Sequence, residues 1–493
     1  MNLKELLKNV EVEQYNGTLD EREITSLCTD SKIAIKDSIY IALPGTKTDG
    51  QNFIAGAVNK GSKVVLCSLD WLNKGEDKLS LEVLYLAVKD RRKAFAQISS
   101  NFYHNPTENL LMVGVTGTNG KTTSTHIIEN ILIANGANTG LLGTLYTKYA
   151  DVKHVSKYTT PMPNELQETF SDMVAKGVKQ VIMEVSSHAL QQQRVGTIDF
   201  SVAVFTNLTQ DHLDYHSTFE SYREAKLILF NQLVKDNGYS IINLDDPSAK
   251  YFIDASKAKV ITFGLSDQAD IYATDIKLRM DGTSFIAHTP LGNIDLEMKL
   301  VGKFNVYNTL TALACGFALN IPLEVCKIAL ENTQGVAGRI EIVTPPSHPY
   351  TVVVDYAHTP DSLDNVLKTA REFTHNRLIS VFGCGGDRDK TKRPIMGGIA
   401  SRLSDIAIVT SDNPRTEEPS DIIDDILKGI PEKEKVIIEV DRQKAIQKAI
   451  EIVATGDTVV IAGKGHEDYQ IFRDKTIHFD DREMAREFIK LKK

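Results

Sequence analysis

The chain has no C-x-x-C pair. Its five cysteines, Cys28, Cys67, Cys315, Cys326 and Cys384, are odd in number and scattered, a pattern that suggests neither a disulfide framework nor a zinc site. A reducing compartment suits such a sequence. Basic runs and basic-aromatic stripes are also missing, and 65 acidic residues against 56 basic ones leave a net charge of -9. That balance disfavours a general binder of nucleic acid or anionic membranes, so any anionic ligand must be caught by local groups. No uninterrupted apolar stretch approaches the roughly 18 residues that a membrane span needs. The N-terminal "MNLKELLKNVEVEQY" spaces Leu3, Leu6, Leu7 and Val10 as an amphipathic helix with charges throughout, unlike a signal sequence. These absences lead to the expectation of a soluble cytoplasmic protein with no nucleic-acid or membrane partner. Internal repeats and low-complexity tracts are absent too.

At 493 residues the chain exceeds what one core can hold, and the length suggests about three domains. Two proline-bearing stretches, "YHNPTENL" at 103–110 and "VTPPSHPY" at 343–350, are plausible linkers. The first segment mixes short strands ("SIYIAL", "SKVVLC") with helical stretches near 51–60 and 89–102. The second opens with the buried-strand pattern "LLMVGVTG", enters a helix at Lys121, and continues through "QVIMEVSS", "SVAVFTNL" and "YSIINLDD". In the third, apolar strands "TVVVDY", "RLISVFGCGG", "DIAIVTSDN", "KVIIEV" and "DTVVIAGKG" alternate with helices starting near Asp361, Arg393, Pro419 and Arg442. Continuous apolar strands separated by helices predict a parallel, doubly wound sheet. The expected architecture is α/β with three domains: a small N-terminal α/β domain (1–106), a central P-loop ATPase-like domain with a mostly parallel sheet (107–345), and a C-terminal Rossmann-like domain (346–493). Ligands of such sheets lie beyond the carboxyl ends of the strands. The loops "DYAHT", "GGDRDK", "SDNPR" and "GKGHE" all follow strands, so His358, Arg388, Asp412, Asn413, Arg415 and Glu467 are expected to face one rim.

"VGVTGTNGKTTSTHIIEN", residues 113–130, reads as strand, glycine loop, lysine, paired threonines and helix. Gly117 and Gly120 let backbone N–H groups approach a polyphosphate, Lys121 pairs with its outer oxygens, Thr122 or Thr123 can hold Mg²⁺, and the helix N-terminus adds its dipole. Val115 stands where the strict phosphate-loop pattern has its first glycine.

The shorter "TGTNGKTT" resembles the ATP loop of the Mur ligase family, whose members join amino acids to UDP-N-acetylmuramoyl precursors of bacterial peptidoglycan. The resemblance continues in order through "MEVSSHAL", "NLTQDHLDYH", "SYREAK", "GKFNVYN", "GRIE" and "DYAHTPDSL". It implies ATP and Mg²⁺ as cofactors, and an acyl phosphate formed when a substrate carboxylate attacks the γ-phosphate. It implies ATP contacts for Gly117, Thr118, Asn119, Gly120, Lys121, Thr122, Thr123, Asn305, Asn308, Arg339 and His358. Metal roles fall on Thr122, Glu184, His212 and Lys226. Lys226 is an ordinary helix lysine by its sequence surroundings, but the matching family lysine is carbamylated by CO₂. Catalysis is thus assigned by resemblance to Lys121, Glu184, His212 and Lys226.

Within the family, "KYTTPMPNE" and "SSHALQQQRVG" resemble the tripeptide-forming members, which implies that Thr159, Thr160, Ser186 and Arg194 meet UDP-MurNAc-L-Ala-D-Glu. "TDSK" resembles a "DSR" motif near the uridine end; Asp30 and Ser31 match it, and Lys32 departs from it. The loops "GGDRDKTKRP", "SDNPR" and "GKGHEDYQ" resemble the pocket of the members that add meso-diaminopimelate, built here from Arg388, Asp412, Asn413, Arg415, Gly463 and Glu467. A planar guanidinium matches a carboxylate bidentately, so arginine at 415 points to the distal carboxylate that L-lysine lacks. Addition of L-lysine, a folylpolyglutamate synthase-like ligase and a non-catalytic nucleotide switch are the competing expectations. The family implies a monomer.

Overall fold

The protein, a computed structural model, is described at every residue save 17, 18, 20, 46, 47, 76–79, 81, 280, 346, 347, 432–434 and 493. Two residues of the expected second linker, Pro346 and Ser347, and with them the expected boundary at 345/346, lie outside the described residues. The chain divides into two compact units. One comprises residues 1–114, 138–202 and 228–238; the other comprises 115–137, 203–227 and 239–493.

The first unit opens with a five-stranded sheet in the order Val12–Asn16, Leu84–Val88, Val64–Cys67, Ser38–Ile41, Ser26–Cys28, parallel except for its first strand. The N-terminal helix is only Leu3–Leu6, shorter than the apolar spacing suggests, because the chain turns at Asn9 with φ +61°. Leu3 and Leu6 are fully buried, and Leu7 and Val10 pack against the same core. Helix Arg91–Phe102 begins where Asp90 accepts the N–H groups of Arg92 and Lys93, which satisfies donors that a helix end leaves free. Further along, Gln180–Glu184 pairs parallel with Thr139–Leu142. That strand continues into an antiparallel meander, Tyr146–Tyr149 and Val152–Val155.

In the second unit, residues 239–243 of strand Val234–Asn243 pair parallel with Lys259–Gly264, which pairs parallel with Ile271–Arg279. Gly282–Thr289 and Gly292–Met298 then extend the ladder antiparallel, so this part is more mixed than its motifs suggest. Helices Lys303–Ala318 and Leu323–Asn332 pack on helix Lys121–Ala134.

A six-stranded sheet follows in the order Glu341–Ile342, Thr351–Asp355, Thr458–Ala462, Leu378–Phe382, Ile406–Val409, Val436–Ile438; only its first pair is antiparallel. Its helices, Pro360–Phe373, Lys392–Leu403, Pro419–Leu427 and Arg442–Ile452, begin within a residue of the sequence expectation. Apolar clusters cover both faces of this sheet, the reason its strands are uninterrupted in apolar residues. All five cysteines are buried and unpaired.

Candidate active site

In the second unit, Val115 and Thr116, the last residues of strand Leu111–Thr116, lead to Gly117 (φ +149°) and Gly120 (φ +85°), and helix Lys121–Ala134 starts directly behind them. A Cβ at 117 would stand 1.9 Å from Thr206 Oγ1, and one at 120 would stand 2.7 Å from Asn308 Oδ1. Glycine is therefore required by both space and backbone. The loop is pinned by residues 206–209. Thr118 N donates to Asn207 O at 2.8 Å, Asn119 N to Asn207 Oδ1 at 2.9 Å, and Thr206 Oγ1 to Asn119 O at 2.7 Å. Lys121 Nζ folds back on Gly117 O (2.9 Å) and Thr118 O (2.7 Å), so its ammonium lies over the loop where a phosphate would be cradled. Thr122 and Thr123 are buried in the first helical turn.

Several residues matched to ATP brace the loop through protein contacts. Asn308 donates to Asn305 Oδ1 and accepts from Ser124 Oγ, while Asn305 donates to Val301 O. Asn119 Nδ2 donates to Asp361 Oδ2 at 2.8 Å, in the first turn of helix Pro360–Phe373. Arg339 reaches Thr122 Oγ1 at 3.2 Å and lies 4.6 Å from the Tyr356 ring; its Nε is buried without a hydrogen-bond partner among the described residues. Arg339 and Asn305 also line a cavity of about 480 Å³ with Lys299, Val336 and Arg482.

Lys226, on helix Phe219–Ile228, is 1% exposed. Its Nζ donates to Gly117 O at 2.9 Å and lies 4.5 Å from the Tyr222 ring. Burial, and then the charge of Lys121, press its pKa well below the usual lysine value against the pull of Asp211. His212, at φ +55°, places Nε2 3.3 Å from the buried Asp211 carboxylate, which His358 Nε2 and Lys392 Nζ approach to 3.9 and 4.0 Å. Burial alone would raise Asp211, but His212, Lys392 and His358 outweigh it and hold the carboxyl below the ordinary range. His358 is pushed down to about 4, by burial first and the Lys392 charge second. Asp211 and Lys392 escape motif reading, although both flank recognised residues in "QDHL" and "DKTKRP".

In the first unit, Glu184 ends strand Gln180–Glu184 and accepts from Thr144 N (2.8 Å) and Thr144 Oγ1 (3.0 Å). The other sequence candidates gather there. Thr144 Oγ1 lies 3.1 Å from Thr159 Oγ1, Thr160 Oγ1 donates to Glu184 O, Ser186 N donates to Thr160 Oγ1, and Arg194 donates to Thr160 O at 2.8 Å. Ser31 stands apart from them, on the bend after Ser26–Cys28 and near Gly56; there Asp30 Oδ1 accepts from Lys32 N.

No cluster of three or more His, Cys, Asp or Glu among the described residues is arranged to hold a metal. The Thr122 hydroxyl in the first turn behind the glycine loop is a hard oxygen donor of the kind that suits Mg²⁺, which keeps several waters and takes one or two protein oxygens alongside substrate phosphates.

At the rim of the six-stranded sheet, the predicted pocket residues come together. Asn413 Nδ2 donates to Glu467 Oε2 at 2.9 Å, and a Cβ on Gly463 would meet Asp412 Oδ2 at 2.6 Å. Asp412 spends one oxygen on Asn413 N. Burial would raise it, yet Lys464 and Arg442 hold it low. Arg415 is half-buried and donates to Gly386 O at 2.8 Å; it forms no ion pair among the described residues. Arg388 is exposed and bonds Asp387 O. Lys464, fully buried inside "GKGHE", is a further residue that sequence reading passes over.

Three family models match the chain in succession: Mur ligase family, catalytic domain (23–103), Mur ligase middle domain (115–316), and Mur ligase, glutamate ligase domain (338–465). A Clostridium tetani protein named UDP-N-acetylmuramoyl-L-alanyl-D-glutamate--2,6-diaminopimelate ligase is 46% identical over 99% of both chains. A protein of the same name from Halalkalibacterium halodurans is 47% identical over 95% of both. A solved structure titled with that ligase name superposes with a TM-score of 0.68 at 31% identity, covering 100% of this chain and 99% of the other. An identity of this level along the full length, with the phosphate loop and its bracing residues in place, means that the chain belongs to the Mur ligase family.

Proposed function

We infer that the chain is an ATP-dependent amide ligase that adds meso-diaminopimelate to UDP-MurNAc-L-Ala-D-Glu, a step in peptidoglycan precursor synthesis. The substrate carboxylate attacks the γ-phosphate of ATP, ADP leaves, and an acyl phosphate forms. An amine of diaminopimelate then attacks the acyl carbon and releases phosphate. Phosphoryl transfer needs charge neutralisation and alignment more than covalent help. The loop N–H groups and Lys121 bind and orient the phosphates, and Arg339, tied to Thr122, adds a second cation there. Mg²⁺, held by the phosphates with Thr122 or His212, would supply Lewis-acid neutralisation of the transferring group.

Lys226 belongs to this reading. A buried lysine with a depressed pKa offers a neutral amine, which can add CO₂ to give a carbamate and one proton. The product is an anion beneath the loop, where an ammonium would repel a metal. ATP and a UDP-sugar are cytoplasmic metabolites, which supports the cytoplasm as the place of action, and the family resemblance supports a monomer.

The observation that carries the choice of amino acid is Arg415: a half-buried guanidinium whose hydrogen-bond partners among the described residues are backbone carbonyls, beside Asn413 and Glu467. Burying such a group against L-lysine leaves it unmatched, and sites built on polar partners reject the analogue lacking them by about 10⁴. The test is phosphate release with ATP, Mg²⁺ and UDP-MurNAc-L-Ala-D-Glu, comparing meso-diaminopimelate with L-lysine, in bicarbonate-containing and bicarbonate-depleted buffer. Release with diaminopimelate alone, and less of it without bicarbonate, is expected. Equal release with L-lysine overturns the pocket assignment, and silence with both amino acids overturns the ligase.

A further inference from the structure

Lys464 follows strand Thr458–Ala462, between Gly463 and Gly465, and its side chain is 0% exposed. A lysine so placed has lost the water that normally solvates its ammonium, so protein groups must replace it. Nζ lies 3.2 Å from Asn413 Oδ1 and 3.2 Å from Glu467 Oε2, the oxygen to which Asn413 Nδ2 donates. These three side chains close a ring that joins the loop after Ile406–Val409 to the loop after Thr458–Ala462. Asn413 Oδ1 also accepts from Ile471 N at 2.9 Å, which anchors the ring to a third segment.

The charged and titratable groups around this ring are Asp412, Arg415, Arg442, Glu467, Tyr356 and Tyr469. Arg442 is committed to Asp481 by two bonds of 2.8 and 2.7 Å. Arg415 bonds backbone carbonyls. Among the described residues, Lys464 is therefore the cation in direct contact with Glu467, whose neighbour Asp412 is a buried carboxylate.

We propose that Lys464 is a positioning residue for the incoming amino acid, holding the Glu467 carboxylate and the Asn413 amide in the orientation and charge that accept an ammonium group. It rests on the reading of this rim as the amino-acid pocket. Burial drives Glu467 towards its protonated form and Asp412 adds to that, while Lys464 and Asn413 oppose it. Without the Lys464 charge, the Glu467 carboxylate moves further towards its protonated form and the pocket loses its grip on the substrate ammonium.

The test is steady-state phosphate release by the full chain carrying Lys464→Met, from about pH 6 to about pH 9, with each substrate varied in turn. At neutral pH the KM for diaminopimelate is expected to rise about tenfold or more, the worth of a charge-assisted hydrogen bond. The KM values for ATP and the UDP-sugar should hold, and the defect should shrink as pH rises and Glu467 ionises. Methylammonium chloride should restore Lys464→Ala where potassium chloride does not. A rise in all three KM values, or a pH-independent loss, overturns the positioning role. Should Lys464→Met fail to fold, Glu467→Gln serves: its diaminopimelate KM should be raised and flat below about pH 8, and a retained acid limb overturns the proposal. Wild-type protein that never responds to diaminopimelate sinks the pocket reading itself. Wild-type turnover with an unaffected Lys464→Met sinks the Lys464 role alone.

Discussion

Arg415 sits at φ +53°, a left-handed conformation that costs a residue with a side chain roughly 1–2 kcal/mol. Its N–H donates to Ile471 O at 3.1 Å, which helps hold the turn that Asn413 and Pro414 begin. Burial and the neighbouring charge of Arg388 both lower its pKa. Close packing explains the glycines of "GCGGD": a Cβ on Gly385 would stand 2.9 Å from the Arg415 guanidinium, and one on Gly386 would stand 1.9 Å from Pro414 O. A strained backbone, a crowded guanidinium and a second arginine nearby make sense when an anion arrives to join them. Arg415→Ala should cut kcat/KM for diaminopimelate by about 10² or more, given two charge-assisted bonds to one carboxylate. If the guanidinium serves the amino acid as proposed, the KM for the UDP-sugar should stay within a factor of about two. Kinetics with each substrate varied separately would decide it, and unchanged diaminopimelate turnover would remove Arg415 from the pocket.

At the scale of elements, helices Arg442–Ile452 and Asp481–Leu491 begin with the two members of one buried ion pair, each side chain 0% exposed. Arg442 also donates to Ser411 O (3.3 Å) and Ala462 O (3.0 Å), so it ties together the ends of the two strands that present "SDNPR" and "GKGHE". Removing one partner leaves a lone buried charge, and Arg442→Met should destabilise the protein by about 3–5 kcal/mol. The double variant Arg442→Met with Asp481→Leu should cost less than the single one. Urea unfolding of both would show it, and a double variant weaker than the single would contradict the ion-pair account. The helix starts around this sheet were legible because Pro360, Pro419 and Asp441 stand at or beside them, where fixed φ or a side-chain cap favours a first turn. Strand order was not: Thr458–Ala462 lies between Thr351–Asp355 and Leu378–Phe382, and an all-apolar strand fits any central slot. Strands Ile271–Arg279, Gly282–Thr289 and Gly292–Met298 do largely alternate more and less buried residues, a period-2 signal that a motif-led reading leaves unused. The glycine loop and the rim loops could be read because their chemistry is local in sequence. Asp211, Lys392 and Lys464 could not, since the burial of a charge is decided by segments far away in the chain.

For the molecule as a whole, half-buried histidines set an acid limit on stability. His466 packs near Tyr356, with ring centroids 4.9 Å apart and Nδ1 buried without a hydrogen-bond partner among the described residues. Burial first, and then Arg339 and Arg482, push it down to about 3. An unfolded histidine titrates near about 6.5, so below that pH the unfolded chain binds a proton that the folded chain refuses. The neutral-His466 state is thus fully tolerated above about pH 6.5 and becomes steadily more costly as pH falls towards 3. His358, pushed down to about 4, acts in the same direction. Asp355, Asp361 and Glu467, raised by burial, favour the folded state as acid is added over part of that range, so the total curve mixes both signs. The comparison of His466→Gln with the wild type isolates one proton. The two should differ little in pH dependence above about pH 7, while below about 6.5 the variant should gain on the wild type by about 1.4 kcal/mol per pH unit. Urea unfolding at half-unit steps from about pH 4.5 to 7.5 would measure this difference. Parallel curves would mean that His466 takes its proton in the folded protein, and the acid limit would then have to lie in His358 and the carboxylates around it.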